Sequence, residues 1–81
     1  MSQSVEMEAI HEVVAAMVGR RVGDSDSLIS SGLIDSLSIL KLISGLEKKL
    51  GIKIPTAKVQ PDDFETVETV AETIERVSVR P

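Results

Sequence analysis

Asp35-Ser36-Leu37-Ser38-Ile39-Leu40-Lys41-Leu42-Ile43-Ser44-Gly45-Leu46-Glu47-Lys48-Lys49-Leu50-Gly51-Ile52 is the stretch that decides the fold. At roughly 100° per residue, Ile39, Leu42, Ile43, Leu46 and Leu50 gather on one side, which predicts an amphipathic helix from about Ser36 to Leu50. Leu37, Lys41, Ser44 and Lys48 fall on the opposite side, with Leu40 and Glu47 at its edge. Asp35 suits the N-cap, because its carboxylate accepts from unpaired amides of the first turn. Gly51 ends the helix, and Ile52 is placed to fold back on it.

Working outward, two more helices are predicted. The first runs from about Ser4 to Val18, with Ile10, Val13, Val14 and Met17 as its apolar stripe. Glu6 and Glu8 near its start and Arg20 and Arg21 past its end suit the helix dipole, and Gly19 is a stop signal. The last helix runs from a Thr66 cap to about Val77, burying Val67, Val70, Ala71, Ile74 and Val77 and turning Glu68, Glu72 and Glu75 to water. Between the first two helices lies a long turn-rich loop; its Leu28, Ile29, Leu33 and Ile34 predict that it lies down on the core. Lys53-Ile54-Pro55 reads as extended, since a residue before proline avoids helical geometry. Pro61-Asp62-Asp63-Phe64 reads as a brief helical turn anchored by Phe64. The expected architecture is all-α: a small bundle of three main helices plus one short helical turn, a single domain over residues 1–81.

Composition narrows the function. With one Phe and no Trp or Tyr, the core must be aliphatic. A net charge of −4 argues against nucleic acid, which calls for a basic face. No apolar run approaches the length of a membrane span, and the N-terminus lacks a basic start and apolar stretch, so a cytoplasmic, monomeric protein is expected. The absence of cysteine removes disulfides, thiolate metal sites and a cysteine nucleophile together. Any thioester chemistry therefore requires an imported sulfur.

Asp35-Ser36-Leu37 is the tripeptide that could carry chemistry. A serine in the first turn of a helix sits at a surface corner, near unpaired amides and the positive end of the dipole, where an attached phosphodiester is electrostatically welcome. A hydrolase is disfavoured: the only histidine, His11, lies in the first helix with nothing to pair it with Ser36. Taken alone, the tripeptide favours a plain helix start. Asp26-Ser27-Leu28 repeats it inside the loop, with no apolar helical stripe following.

The wider pattern is more specific. Leu28-Ile29-Ser30-Ser31-Gly32-Leu33-Ile34-Asp35-Ser36-Leu37 resembles the modification segment of acyl carrier proteins. The likeness continues through Leu46-Glu47-Lys48-Lys49-Leu50-Gly51-Ile52-Lys53-Ile54-Pro55 and Asp62-Asp63-Phe64-Glu65-Thr66-Val67. The resemblance implies the acyl-carrier helical fold and covalent 4′-phosphopantetheine on Ser36. A separate, magnesium-dependent phosphopantetheinyl transferase attaches it from coenzyme A, and Asp35 contacts that enzyme besides capping. The arm's thiol then carries an acyl or aminoacyl group from an adenylate-forming ligase to a downstream acyl-accepting enzyme; the carrier itself catalyses nothing and holds no metal. Leu37 and Leu40, with Leu33 and Lys41, form the expected landing site for partners, although single exposed leucines are ordinary.

One branch is set apart by charge. Carriers of fatty acid synthesis present an acidic second helix, whereas here residues 36–53 hold Lys41, Lys48, Lys49 and Lys53 against Glu47, a net of +3 between segments of −4 and −3. The sequence therefore points to a stand-alone carrier outside fatty acid synthesis. A fatty acid synthesis carrier and an unmodified helical interaction module remain the alternatives.

Overall fold

The computed structural model describes residues 2–79. Helix α1 spans Ser2–Val18, α2 Ser36–Leu50 and α3 Val67–Val77. Two 3₁₀ turns, Thr56–Lys58 and Pro61–Phe64, lie between α2 and α3. The all-α bundle of three helices is as the periodicity predicts, with one more short turn: Thr56-Ala57-Lys58 has no apolar stripe to announce it. It is closed by the Lys58 amide donating to the Pro55 carbonyl at 3.0 Å.

Helix α1 begins two residues earlier than its apolar pattern suggests. Glu6 and Glu8 therefore lie beyond its first turn, and the dipole role expected of them is not theirs. Glu8 instead faces the Arg21 guanidinium, whose two terminal nitrogens donate to its two oxygens at 3.1 and 3.3 Å. Gly19 stops the helix at φ +88°, a backbone setting that costs glycine little. Ile10 and Val14 are fully buried, whereas Val13 and Met17 are only half-buried.

Helix α2 has the predicted bounds. Asp35 Oδ1 accepts from the Ser38 amide at 2.9 Å. At the other end Gly51 is left-handed, φ +67°, and the Gly51 and Ile52 amides both donate to the Glu47 carbonyl, at 2.9 and 3.2 Å. That turns Ile52 back into the core, where it is buried. Ile39, Leu42, Ile43 and Leu46 are buried, and Leu50 is half-buried.

Helix α3 opens on a reciprocal cap: Thr66 Oγ1 accepts from the Thr69 amide at 3.1 Å and Thr69 Oγ1 from the Thr66 amide at 3.0 Å. Its buried face is wider than the predicted stripe, because Thr73 is also buried. The Thr73 hydroxyl donates to the Thr69 carbonyl at 2.8 Å, so its burial leaves no polar group unmet. Val77 is half-buried. Lys53 is extended as expected and pairs antiparallel with Val79 in an isolated bridge.

The long loop does lie on the core. Val22, Leu28 and Ile34 are buried, and the Ile34 amide donates to the Leu28 carbonyl at 2.9 Å. Phe64 is 1 % exposed and anchors its turn among these aliphatic side chains. No helix among the described residues is long and apolar enough to cross a membrane.

Candidate functional site

Ser36 is the first residue of α2 and is exposed. Asp35, also exposed, holds the helix start by capping the Ser38 amide. That hydrogen bond, with one to the Ser38 side chain, lowers the Asp35 carboxyl below its ordinary value. No acidic residue lies within the first turn of α2, so the dipole's positive end is offset only by the cap itself.

Apolar surface flanks the serine on both sides. Leu37 is 74 % exposed and Leu40 57 %, and Lys41 beside them is exposed. Leu33 is half-buried at the loop's end. On the other side a shallow hollow of 170 Å³ is lined by Ser36, Ile39 and Leu40 of α2 and by Val59, Pro61 and Phe64. An exposed hydroxyl, a helix N-terminus and an open approach together suit a bulky anionic tether, so these residues fit a phosphopantetheine attached at this corner.

The repeated tripeptide has a different fate. Ser27 is half-buried, and its hydroxyl donates to Glu65 Oε2 at 2.6 Å. Leu28 is fully buried where Leu37 is open. Asp26 caps no helix; its Oδ2 accepts from the Gly23 amide at 2.8 Å within a tight turn. Glu65 also accepts from the Ile29 and Ser30 amides, both at 3.1 Å, and the Leu28 amide donates to its carbonyl at 2.7 Å. Hydrogen bonds from the Ser27 hydroxyl first, then from Ser30 and the Ile29 amide, hold the Glu65 carboxyl down at about 2. Sequence reasoning passed over Glu65 in this role. It lies 38 residues from Ser27, and no local spacing connects them.

His11 is 3 % exposed, and its Nε2 donates to Asp24 Oδ1 at 2.5 Å, tying α1 to the loop. It is thus committed elsewhere, and no base is assembled at Ser36 among the described residues.

Residues 8–77 match the protein family described as the phosphopantetheine attachment site. The chain belongs to that family. Its curated relatives include the D-alanyl carrier protein of Leuconostoc citreum, 30 % identical over 70 residues that make up 84 % of this chain and 90 % of that protein. The D-alanyl carrier protein of Leuconostoc mesenteroides is 29 % identical over the same shares. That of Streptococcus pyogenes serotype M5 is 33 % identical over 52 residues, 64 % of this chain and 66 % of that protein. The protein is therefore a carrier and not an enzyme, and covalently attached 4′-phosphopantetheine is its prosthetic group.

Proposed function

We propose that Ser36 bears the phosphopantetheine and that the cargo is an aminoacyl or other small acyl group. The single observation behind the site is the exposed Ser36 hydroxyl opening α2, set against Ser27, whose hydroxyl is taken up by Glu65. In the attachment reaction the Ser36 oxygen forms the phosphodiester, 3′,5′-ADP leaves coenzyme A, and the hydroxyl proton passes to the transferase. Asp35 keeps Ser36 at the first helical position and offers the transferase a carboxylate. Once bound, the group supplies a terminal thiol that forms thioesters, the only thiol in a chain without cysteine.

Leu37 and Leu40, with Leu33 and Lys41, present the surface on which a transferase, an adenylate-forming ligase and an acyl-accepting enzyme take turns. Delivery works by raising the local concentration of the tethered thioester at each active site. An aminoacyl cargo is supported by the D-alanyl carrier proteins among the relatives. Carriage of long chains for fatty acid synthesis is the less favoured reading, because the exposed face of α2 bears lysines where that branch bears acids.

The test is intact mass after incubation with coenzyme A, magnesium and a broad-specificity phosphopantetheinyl transferase. One phosphopantetheine increment is expected on the wild type and none on Ser36→Ala. The modified protein is then offered D-alanine, other amino acids and fatty acids with their adenylating ligases. An increment on Ser36→Ala refutes the site, and loading by fatty acids alone refutes the cargo.

A further inference from the structure

Charge is not spread evenly over this surface. Glu8, Asp24, Glu68 and Glu72 line one hollow between α1 and α3, where Arg21 is the only cation. On α2 the balance is reversed. Glu47, its only acid, is turned to the backbone, where its Oε2 accepts from the Ile54 amide at 2.8 Å. Lys49 lies 2.5 Å from Glu12 of α1. Lys41 and Lys48 are exposed and make no ion pair among the described residues. Leu37, Lys41, Ser44 and Lys48 fall within roughly 60° of one another and span about 16 Å of helix. At the far end Lys48 and Lys53 line one shallow hollow. From Ser36 outward, then, this side of α2 offers two exposed leucines followed by two unpaired ammonium groups.

Neither ammonium group is spent on an ion pair among the described residues, although Lys48 also suits the C-terminal end of the α2 dipole, and their sign opposes the net charge of the chain. We infer that this face of α2 docks enzymes whose carrier-facing surface is acidic, and that Lys41 and Lys48 turn away enzymes whose surface is basic. The inference rests on Ser36 being the attachment residue, since that places the face beside the working end of the arm. At contact range the local sign outweighs the overall charge, because salt screens charges more than about 10 Å apart. Carboxylates opposite Lys41 and Lys48, with an apolar seat for Leu37 and Leu40, define the occupant.

The test uses the unmodified protein, coenzyme A and two phosphopantetheinyl transferases chosen for carrier-facing surfaces of opposite charge, with rates read by intact mass. The wild type is expected to favour the acidic transferase, and K41E/K48E the basic one. Each enzyme's kcat/KM should change about tenfold at low ionic strength, converging at high salt. Circular dichroism checks that the double variant is folded, and K41E alone repeats the comparison with the helix C-terminus untouched.

Loss of any preference switch, with Ser36 still modified, overturns the docking inference and leaves the site standing. No increment with either transferase, or one that survives Ser36→Ala, overturns both. Sedimentation covers the remaining occupant: a salt-sensitive dimer that K41E/K48E abolishes puts the acidic hollow of a second copy on this face and overturns the inference as well.

Discussion

Gly45 sits mid-way along α2, and Gly45→Ala measures how closely α1 supports the helix that presents Ser36. Ordinarily the change stabilises a helix, by about 1 kcal/mol. Here a Cβ at position 45 meets Val13 Cγ1 at 2.9 Å and Cγ2 at 3.7 Å. Carbon atoms at rest sit roughly 3.5–4.0 Å apart, so one contact is well inside the repulsive wall. Val13 is a poor candidate for yielding, because a β-branched side chain in a helix has one strongly preferred rotamer. Forcing a methyl into such a seam costs about 1–3 kcal/mol. Set against the propensity gain, the expected net is a loss of up to about 2 kcal/mol. Urea unfolding reads it as a lower midpoint at unchanged slope. In a Val13→Ala background the obstructing methyls are gone, and Gly45→Ala should then stabilise by about 1 kcal/mol. The cycle should show a coupling of about 1–3 kcal/mol. Stabilisation by Gly45→Ala in the otherwise wild-type protein refutes the close approach of the two helices.

Three further outcomes follow from the geometry. The Glu65 carboxyl is held at about 2 against an ordinary 4.5, so its hold on the loop is complete above 4.5 and is lost as pH falls through about 2. The Ile29 and Ser30 amide resonances should titrate near the lower value, and midpoints between 4 and 5 contradict the clasp. Leu37→Ala with Leu40→Ala should leave thermal stability almost unchanged, because both side chains are more than half exposed. The same pair should raise KM for the transferase and the loading ligase, and unchanged KM values speak against a landing site. Asp35→Asn keeps a good cap whereas Asp35→Ala does not. The melting temperature should therefore fall only in the alanine variant, while phosphopantetheine transfer measured by mass slows in both if the carboxylate itself meets the transferase.

How much of this was legible in the sequence depends on the range of the interaction. Helix α2 was read in full because its stripe, its Asp35 cap and its Gly51 stop are all local signals. The Thr66 start of α3 and the Phe64 anchor were legible for the same reason. Arg21 was assigned to the helix dipole although its guanidinium meets Glu8, a partner 13 residues away. The Glu65 clasp, the His11–Asp24 tie and the Gly45–Val13 approach join residues between 13 and 38 positions apart, and no periodicity encodes them. At the candidate site the helix corner was visible in advance. What closes off the rival serine was not.

That rival is the most informative part of the molecule, because one chain presents the same three residues twice. Residue identity alone therefore does not define a carrier site here. At Ser27 the hydroxyl must first give up a 2.6 Å hydrogen bond to the Glu65 carboxylate, and an attached phosphodiester would then lie against that carboxylate. The flanking Leu28 is spent in the core, so it offers no apolar side chain to a partner. At Ser36 the neighbouring carboxylate, Asp35, is turned to the Ser38 amide, the first turn of a 15-residue helix faces the anion, and Leu37 stands in solvent. A phosphate beside a carboxylate is opposed by repulsion, whereas a phosphate at a helix N-terminus is favoured. The two effects act together, and both favour the proposed attachment at Ser36. On the proposed reading Glu65 has a double part: it fastens the loop that leads into α2, and the hydrogen bond from the Ser27 hydroxyl withdraws the second serine from modification.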